Sequence, residues 1–186
     1  MGRVSRAQAE QNRAHVVATA SRLMRERGTH VSVADLMGAA GLTHGGFYKQ
    51  FPSKDALVDE ATAHAFAELA RRHRAALGAA ADDPGAARRN VIDDYLSPAH
   101  RDDPGGGCPV AAFASDLARE PGSGPGGAHA TYAAGVTGFA RSLADEEQDG
   151  LVRLSTLVGA LVLARATRGT DLSDALLDAA RDALRP

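Results

Sequence analysis

The stretch "SVADLMGAAGLTHGGFYKQFPSK", from Ser32 to Lys54, determines how the rest of the chain is interpreted. Ser32 precedes an apolar helical face and has an acidic residue three positions later, which is close to the capping box that begins helices. Gly41 ends that helix, Thr43 can cap a second short helix, and Pro52 ends the second one. A helix, a tight turn containing glycine and a second helix form a helix-turn-helix unit.

Two adjacent glycines lie inside the second short helix, although each costs about 1 kcal/mol of helix propensity relative to alanine. Because glycine has no Cβ atom, Gly45 and Gly46 let the backbone approach another molecule closely, as a helix in the DNA major groove requires. Phe47 and Phe51 lie one turn apart on the inner face, so Tyr48 is expected to face outward. The alternative is a poorly formed turn instead of a helix.

Helical periodicity continues on both sides of this unit, and no segment alternates as a strand would. An apolar stripe predicts a first helix that ends at Gly28. Ser53 caps a long fourth helix with the apolar stripe Leu57, Ala61, Ala65 and Leu69. Further helices are predicted from near Pro84, from Pro109, over about 128–143, over about 151–166, and from residue 171 or 173. The sequence therefore predicts an all-α protein.

The charge is divided unevenly along the chain. Residues 1–54 carry eight basic and three acidic side chains, whereas residues 55–186 carry 13 basic and 20 acidic ones. A basic first third on an acidic body suggests a polyanionic partner for that third, although a chance asymmetry of solvated faces is the alternative. A single cysteine excludes a disulfide framework within the chain. The sequence shows no signal peptide and no apolar stretch that could span a bilayer, so we expect a cytoplasmic protein without a membrane partner.

The first fifty-seven or so residues resemble the DNA-binding domain of TetR-type transcriptional regulators. The matching positions are Ser32, Val33, Leu36, Ala40, Gly41, Leu42, Thr43, Gly45, Tyr48, Phe51, Ser53 and Lys54. The resemblance implies a helix-turn-helix DNA-binding domain over residues 1–54 and a helical effector-binding and dimerisation domain over residues 55–186. It also implies a homodimeric repressor that binds a palindromic operator and is released by a small molecule, and it implies no enzymatic activity.

Seven residues are the candidate DNA contacts. Thr43 can offer the N-terminal N–H groups of its helix to a phosphate, and His44 can reach a base edge or a phosphate. Lys54 lies in the first turn of the fourth helix, where the helix dipole disfavours a cation unless an anion is near. The resemblance implies that this anion is a DNA phosphate. It also implies that the Tyr48 hydroxyl contacts a phosphate. The full set is Ser32, Thr43, His44, Gly45, Tyr48, Lys49 and Lys54.

An effector pocket and a dimer interface are expected in the larger domain. The candidate pocket residues are Phe66, Tyr95, Cys108, Phe113, Leu117, Tyr132 and Phe139, and each of them could equally be plain core. A pocket of this composition favours an apolar or aromatic ligand. The predicted helix over 151–166 is apolar around much of its circumference, which is typical of a central or dimer-forming helix. The candidate interface residues are Leu154, Leu157, Leu161 and Val162.

Three other interpretations of the sequence stay open. Cys108 follows three glycines at a predicted helix N-terminus, where a thiolate is stabilised, so it could act as a redox sensor. A small buried hydrophobic side chain is the simpler interpretation of the same residue. The chain could also be a helical module that binds only protein, or an enzyme. No metal-ligand spacing, phosphate-binding loop or cofactor motif is present, so we expect neither a metal nor a cofactor.

Overall fold

The computed structural model describes residues 6–79, 83–120, 127–146 and 149–185. These residues form no strand, and the predicted all-α fold is confirmed. The elements are α1 (Arg6–Arg27), α2 (Val33–Ala39), a 3₁₀ segment (His44–Lys49), α3 (Lys54–Ala79), α4 (Pro84–Tyr95), α5 (Pro98–Asp102), α6 (Pro109–Leu117), α7 (Ala128–Leu143), α8 (Gly150–Ala166) and α9 (Asp171–Leu184). No helix within the described ranges is both long enough and apolar enough to cross a membrane.

Local side-chain chemistry sets the ends of the N-terminal helices. The Ser32 hydroxyl accepts a hydrogen bond from the Asp35 backbone N–H at 3.1 Å and donates one to the Asp35 carboxylate at 2.6 Å. Ser53 caps α3 by accepting from the Ala56 N–H at 3.1 Å. Gly28 and Gly41 follow α1 and α2 with φ angles of 88° and 69°, a left-handed conformation that favours glycine.

The helix that follows the turn differs from the prediction. It is a six-residue 3₁₀ helix, and Thr43 occupies the N-cap position without making the predicted side-chain cap hydrogen bond. Two glycines in six residues remove helix propensity, and Pro52 allows no extension beyond Phe51. The i→i+3 bonds of a 3₁₀ helix suit such a short piece, with Gly46 N–H donating to Thr43 O at 3.0 Å.

Buried apolar side chains form two clusters that meet on α3. The N-terminal cluster contains α1, α2, the 3₁₀ segment and the first half of α3, up to Ala65. The C-terminal cluster begins at Phe66 on the same helix and continues through α4, α7, α8 and α9. One continuous helix therefore contributes to both cores, and a displacement of α3 reaches both of them.

Polar contacts tie α1 to the second half of the molecule. The Arg25 guanidinium is buried, and it donates to the Gly107 carbonyl at 3.2 Å and to the Glu68 carboxylate at 2.8 Å. The Asp116 carboxylate on α6 accepts from the Thr29 N–H at 2.7 Å. These bonds join the end of α1 to α3, α6 and the loop before α6.

Candidate DNA-binding surface and effector cavities

The 3₁₀ segment has one buried side and one exposed side. Phe47 is fully buried, and its ring lies 5.5 Å from that of Phe51, centre to centre. Tyr48 is 69% exposed, and its ring meets Phe47 edge-to-face at 5.1 Å. His44 and Lys49 are exposed beside it. The aromatic pair therefore anchors the segment while three polar side chains project from it.

The two glycines of this segment face different surroundings. A Cβ atom on Gly46 would lie 3.8 Å from both the Met37 Cε and the Thr43 Oγ1, which is ordinary contact with the chain itself. A Cβ atom on Gly45 would meet nothing within 4 Å. Packing within the described residues therefore does not require a bare backbone at Gly45.

The other candidate DNA contacts lie on neighbouring elements. Thr43 is exposed directly before the 3₁₀ segment, so it lies beside His44, Gly45, Tyr48 and Lys49. Ser32 is exposed at the start of α2, where its hydroxyl is already bonded to Asp35.

Lys54 is half-buried at the start of α3. It lines a cleft together with Asp55, Asp59 and Glu120. The structure therefore gives this lysine carboxylates of its own chain as neighbours, in addition to the phosphate that the resemblance implies.

Two cavities flank the second half of α3. The α3–α7 cavity has a volume of about 400 Å³ and is lined by Phe66, Leu69, Ala70, His73, Arg74, Ala134, Gly135, Gly138, Phe139 and Ser142. The α3–α4 cavity has a volume of about 270 Å³ and is lined by Leu69, Arg72, His73, Ala76, Asn90, Val91, Asp94, Tyr95, His100 and Cys108. Both volumes are close to or within the range of small-molecule sites. Leu69 and His73 belong to both linings.

Four of the seven predicted pocket residues line these cavities: Phe66, Tyr95, Cys108 and Phe139. Tyr132 lies beside the α3–α7 cavity, with its ring 5.8 Å from that of Phe66 and its hydroxyl donating to the Val110 carbonyl at 2.9 Å.

The two remaining predicted pocket residues, Phe113 and Leu117, do not line either of the two cavities described above. Both are buried in the N-terminal cluster, where they pack with α1 and α3. They lie one turn apart on α6, and this helix turns that face toward the N-terminal cluster. Their burial therefore joins the two halves of the protein.

His73 is one of the cavity residues that the sequence analysis missed, and it lines both cavities. It continues the stripe Leu57, Ala61, Ala65 and Leu69 at the same four-residue spacing, so the periodicity could have identified it. Its ring lies 4.5 Å from that of Phe139, centre to centre. Burial, followed by the charge of Arg72, lowers the pKa of His73 to about 4. At neutral pH its imidazole is therefore uncharged.

Cys108 and Tyr95 lie side by side at the edge of the α3–α4 cavity. Burial raises the pKa of the Cys108 thiol and raises that of the Tyr95 hydroxyl well above its usual range. The Tyr95 hydroxyl interacts with Cys108, but it makes no hydrogen bond of normal geometry. Although Cys108 precedes α6, desolvation outweighs the bonds from the helix N-terminus, so this environment keeps the thiol protonated.

Three of the four predicted dimer residues face the core of their own chain. Leu154, Leu157 and Leu161 are buried in the C-terminal cluster, and of the predicted set only Val162 is exposed. The side of α8 that carries the three leucines packs against α7 and α9, which leaves a different side of the helix free. The large apolar residues that are exposed on α8 and α9 are Leu151, Val152, Val162, Leu163 and Leu172.

The chain is similar to known regulators in part of its sequence and in its whole fold. Residues 16–61 match the family model described as bacterial regulatory proteins, tetR family. No curated protein sequence matches the chain.

Solved structures match over almost the full length. NemR of E. coli in its reduced form has 18% identity and a TM-score of 0.77, with 94% of this chain and 95% of that chain covered. A TetR transcriptional regulator from Chloroflexus aurantiacus has 21% identity and a TM-score of 0.75, covering 96% and 94%. A TetR-family regulator from Pectobacterium atrosepticum has 25% identity and a TM-score of 0.58, covering 97% and 93%.

The TetR family consists of non-enzymatic, DNA-binding transcription factors, which agrees with the exposed helix-turn-helix unit described above. Residues 16–61 therefore match the DNA-binding domain model of the TetR family, and the chain as a whole has the helical fold of solved TetR-family regulators.

Proposed function

We propose that the protein is a ligand-responsive repressor that binds a palindromic DNA operator as a homodimer in the cytoplasm. The observation that supports this proposal best is the exposed side of the 3₁₀ segment. There, His44, Tyr48 and Lys49 project around the open backbone of Gly45. Such a segment can enter the major groove, with polar side chains available to base edges and phosphates.

The dimer forms through the exposed apolar side of α8 and α9. Leu151, Val152, Val162 and Leu163 on α8 and Leu172 on α9 are each more than 40% exposed. Pairing α8 and α9 with the same helices of a second copy buries these side chains in a four-helix bundle and presents two DNA-binding domains to two half-sites.

A charge on this surface tests the dimer. Leu163→Glu is expected to convert the dimer to a monomer in size-exclusion chromatography with light scattering. Ala130→Glu, on the exposed side of α7, is the matched control and is expected to stay dimeric. A dimer that persists in Leu163→Glu would place the interface elsewhere.

Effector binding reduces operator affinity by moving α3 and the loop before α6. Both cavities are bounded by α3, and the α3–α4 cavity also touches Cys108 at the end of that loop. Arg25 of α1 is bonded to Gly107 of the same loop and to Glu68 of α3. A ligand that shifts either element therefore changes the position of the DNA-binding domain, which is a two-state coupling.

The first experiment is fluorescence anisotropy of the purified protein on duplexes that tile its own upstream DNA, over a series of salt concentrations. We expect one duplex to bind far more tightly than the others, with an affinity that falls steeply with the logarithm of salt concentration. An absence of salt-dependent binding to every duplex and to genomic fragments would instead favour a helical module that binds only protein.

A further inference from the structure

We propose that the effector is an organic anion with an apolar body, held in the α3–α7 cavity with its carboxylate at Arg74. This inference rests on the proposed ligand response and adds the chemical class of the ligand. The observation that supports this inference is that the mostly apolar α3–α7 cavity has one cationic side chain, Arg74, among its lining residues.

Most residues that line the α3–α7 cavity are apolar. Phe66 of α3 and Phe139 of α7 contribute aromatic rings, and Leu69 of α3 contributes an aliphatic side chain. Gly135 lets the Phe66 ring lie directly against the α7 backbone, where a Cβ atom would collide with that ring. Nothing lies within 4 Å of a Cβ position at Gly138, so space remains on that side. A flat, naphthalene-sized body suits this cavity.

The small residues of the cavity keep that space open. Ala70 on α3 and Ala134 on α7 line the cavity with side chains of one carbon. Larger side chains at these positions would occupy the volume of about 400 Å³ that a ligand would fill.

The charge at the cavity is positive and uncompensated. Residues 55–186 carry seven more acidic than basic side chains, yet the run "RRHR" over 71–74 places three arginines together. Arg72 donates to the Gly106 carbonyl at 2.7 Å. Arg74 forms no ion pair with a carboxylate of the described residues, and it is the one charged side chain among those lining the α3–α7 cavity. Arg74 is exposed beside this cavity, and a cation beside an apolar cleft attracts an anion.

His73 supplies a second polar group beside Arg74. Its ring lies against Phe139 and lines the same cavity. A neutral imidazole can donate one hydrogen bond, and an arginine can hold a carboxylate oxygen through its N–H groups. The cavity therefore offers donors at one edge and apolar walls elsewhere, which suits a carboxylate on an aromatic body.

The test compares 2-naphthoate with its uncharged analogue 2-naphthalenemethanol by isothermal titration calorimetry. Naphthoate is expected to bind about tenfold more tightly, the effect of roughly one charge-assisted hydrogen bond. In Arg74→Gln the two probes are expected to bind equally. Equal affinities in the unmodified protein, or a preference for naphthoate that survives in Arg74→Gln, would overturn the assignment of an anion to Arg74.

Two matched alanines on α7 test the location. Ala134→Leu fills the cavity and is expected to abolish naphthoate binding, whereas Ala133→Leu lies outside the lining and is expected to bind normally. Binding that persists in Ala134→Leu would place the ligand elsewhere, such as on the exposed apolar side of α8, and would overturn the proposal. Circular dichroism of both variants shows whether each has folded. Operator binding without ligand is measured separately, so a failure of the ligand proposal is distinguishable from a failure of the DNA-binding function.

Discussion

The N-terminal and C-terminal clusters share one helix but enclose their side chains differently. In the N-terminal cluster, the 3₁₀ segment is held by stacked Phe47 and Phe51, and its polar groups point outward. In the C-terminal cluster, the aromatic residues Tyr95 and Phe139 each border a cavity, and His73 lines both of these cavities. The first region presents polar side chains on its surface, and the second borders two open cavities.

The difference shows how one α helix can serve two tasks. Residues of α3 up to Ala65 support the DNA-binding unit, and residues from Phe66 onward form cavity walls. The predicted domain boundary at 54/55 coincides with the start of α3. The change from the N-terminal to the C-terminal cluster comes about three turns later, between Ala65 and Phe66. A ligand beside Phe66 therefore contacts the same rigid element that supports the 3₁₀ segment.

The largest expected effect distinguishes the two cores directly. Phe47→Ala removes a fully buried ring that lines neither of the two cavities beside α3, and we expect a loss of about 3–5 kcal/mol in the free energy of unfolding, together with a loss of DNA binding. Phe139→Ala enlarges an existing cavity, so we expect a cost at or below the lower end of that range. Urea unfolding of both variants measures the two values. Equal costs in the two variants would mean that the cavity beside Phe139 does not reduce the stabilisation contributed by that ring.

The next effect concerns the junction between the regions. Arg25→Met removes the bonds to Gly107 and Glu68 and leaves the Gly107 carbonyl without this partner, so we expect a loss of about 1–3 kcal/mol in stability. Because α1 would lose its tie to the loop before α6, we also expect a smaller effect of the effector on operator affinity. Arg25→Lys retains the charge and is expected to be intermediate. Unchanged coupling in Arg25→Met would show that the signal travels through α3 alone.

Gly45 and Gly46 are neighbouring glycines of the 3₁₀ segment, so substitutions at the two positions can be compared directly. Gly45→Ala is expected to leave stability unchanged or raise it slightly, because its methyl group meets nothing in the chain. If the backbone there approaches DNA closely, the same methyl group costs about 1–3 kcal/mol of operator affinity through overpacking. Gly46→Ala contacts Met37 instead and is expected to retain DNA affinity. Equal DNA affinity in both variants would mean that Gly45 is not at the interface.

A smaller effect is expected at the exposed lysine of the same segment. Lys49→Gln removes one cation, so operator affinity should weaken to a similar degree on all sequences. The slope of log affinity against log salt should decrease in magnitude by about 0.9. Anisotropy titrations at several salt concentrations measure this slope. A change confined to one operator sequence would instead assign Lys49 to base recognition.

The sequence predicted the helix-turn-helix unit better than the cavities beside the C-terminal cluster. Caps, glycines and aromatic spacing act over a few residues, so Ser32, Ser53, Phe47 and Tyr48 could be placed from their neighbours alone. Whether a surface residue touches DNA depends on a molecule outside the chain, so the DNA contacts remain predictions.

The residue assignments on α6 and α8 rest on the same kind of sequence pattern. Periodicity shows that a helix has an apolar side, but not which neighbour covers it. Leu157 therefore appeared equally suitable for the chain's own core and for a partner, and Phe113 equally suitable for either cluster. Only the path of the chain in three dimensions distinguishes these cases.

The smallest predicted effect follows from the histidine enclosed in the second region. The pKa of His73 is about 4 in the folded protein and about 6.5 for an ordinary histidine, so between these values the unfolded chain binds a proton that the folded chain does not. The free energy of unfolding should therefore fall as the pH decreases from 6.5 to 4, and this contribution should be constant above 6.5. Because the imidazole is only partly shielded from solvent, we expect about 1 kcal/mol or less. His73→Gln should remove this part of the slope, which urea unfolding at pH 7 and pH 5 measures. Equal slopes for the two proteins would mean that His73 is solvated and that the two cavities are open to water at that point.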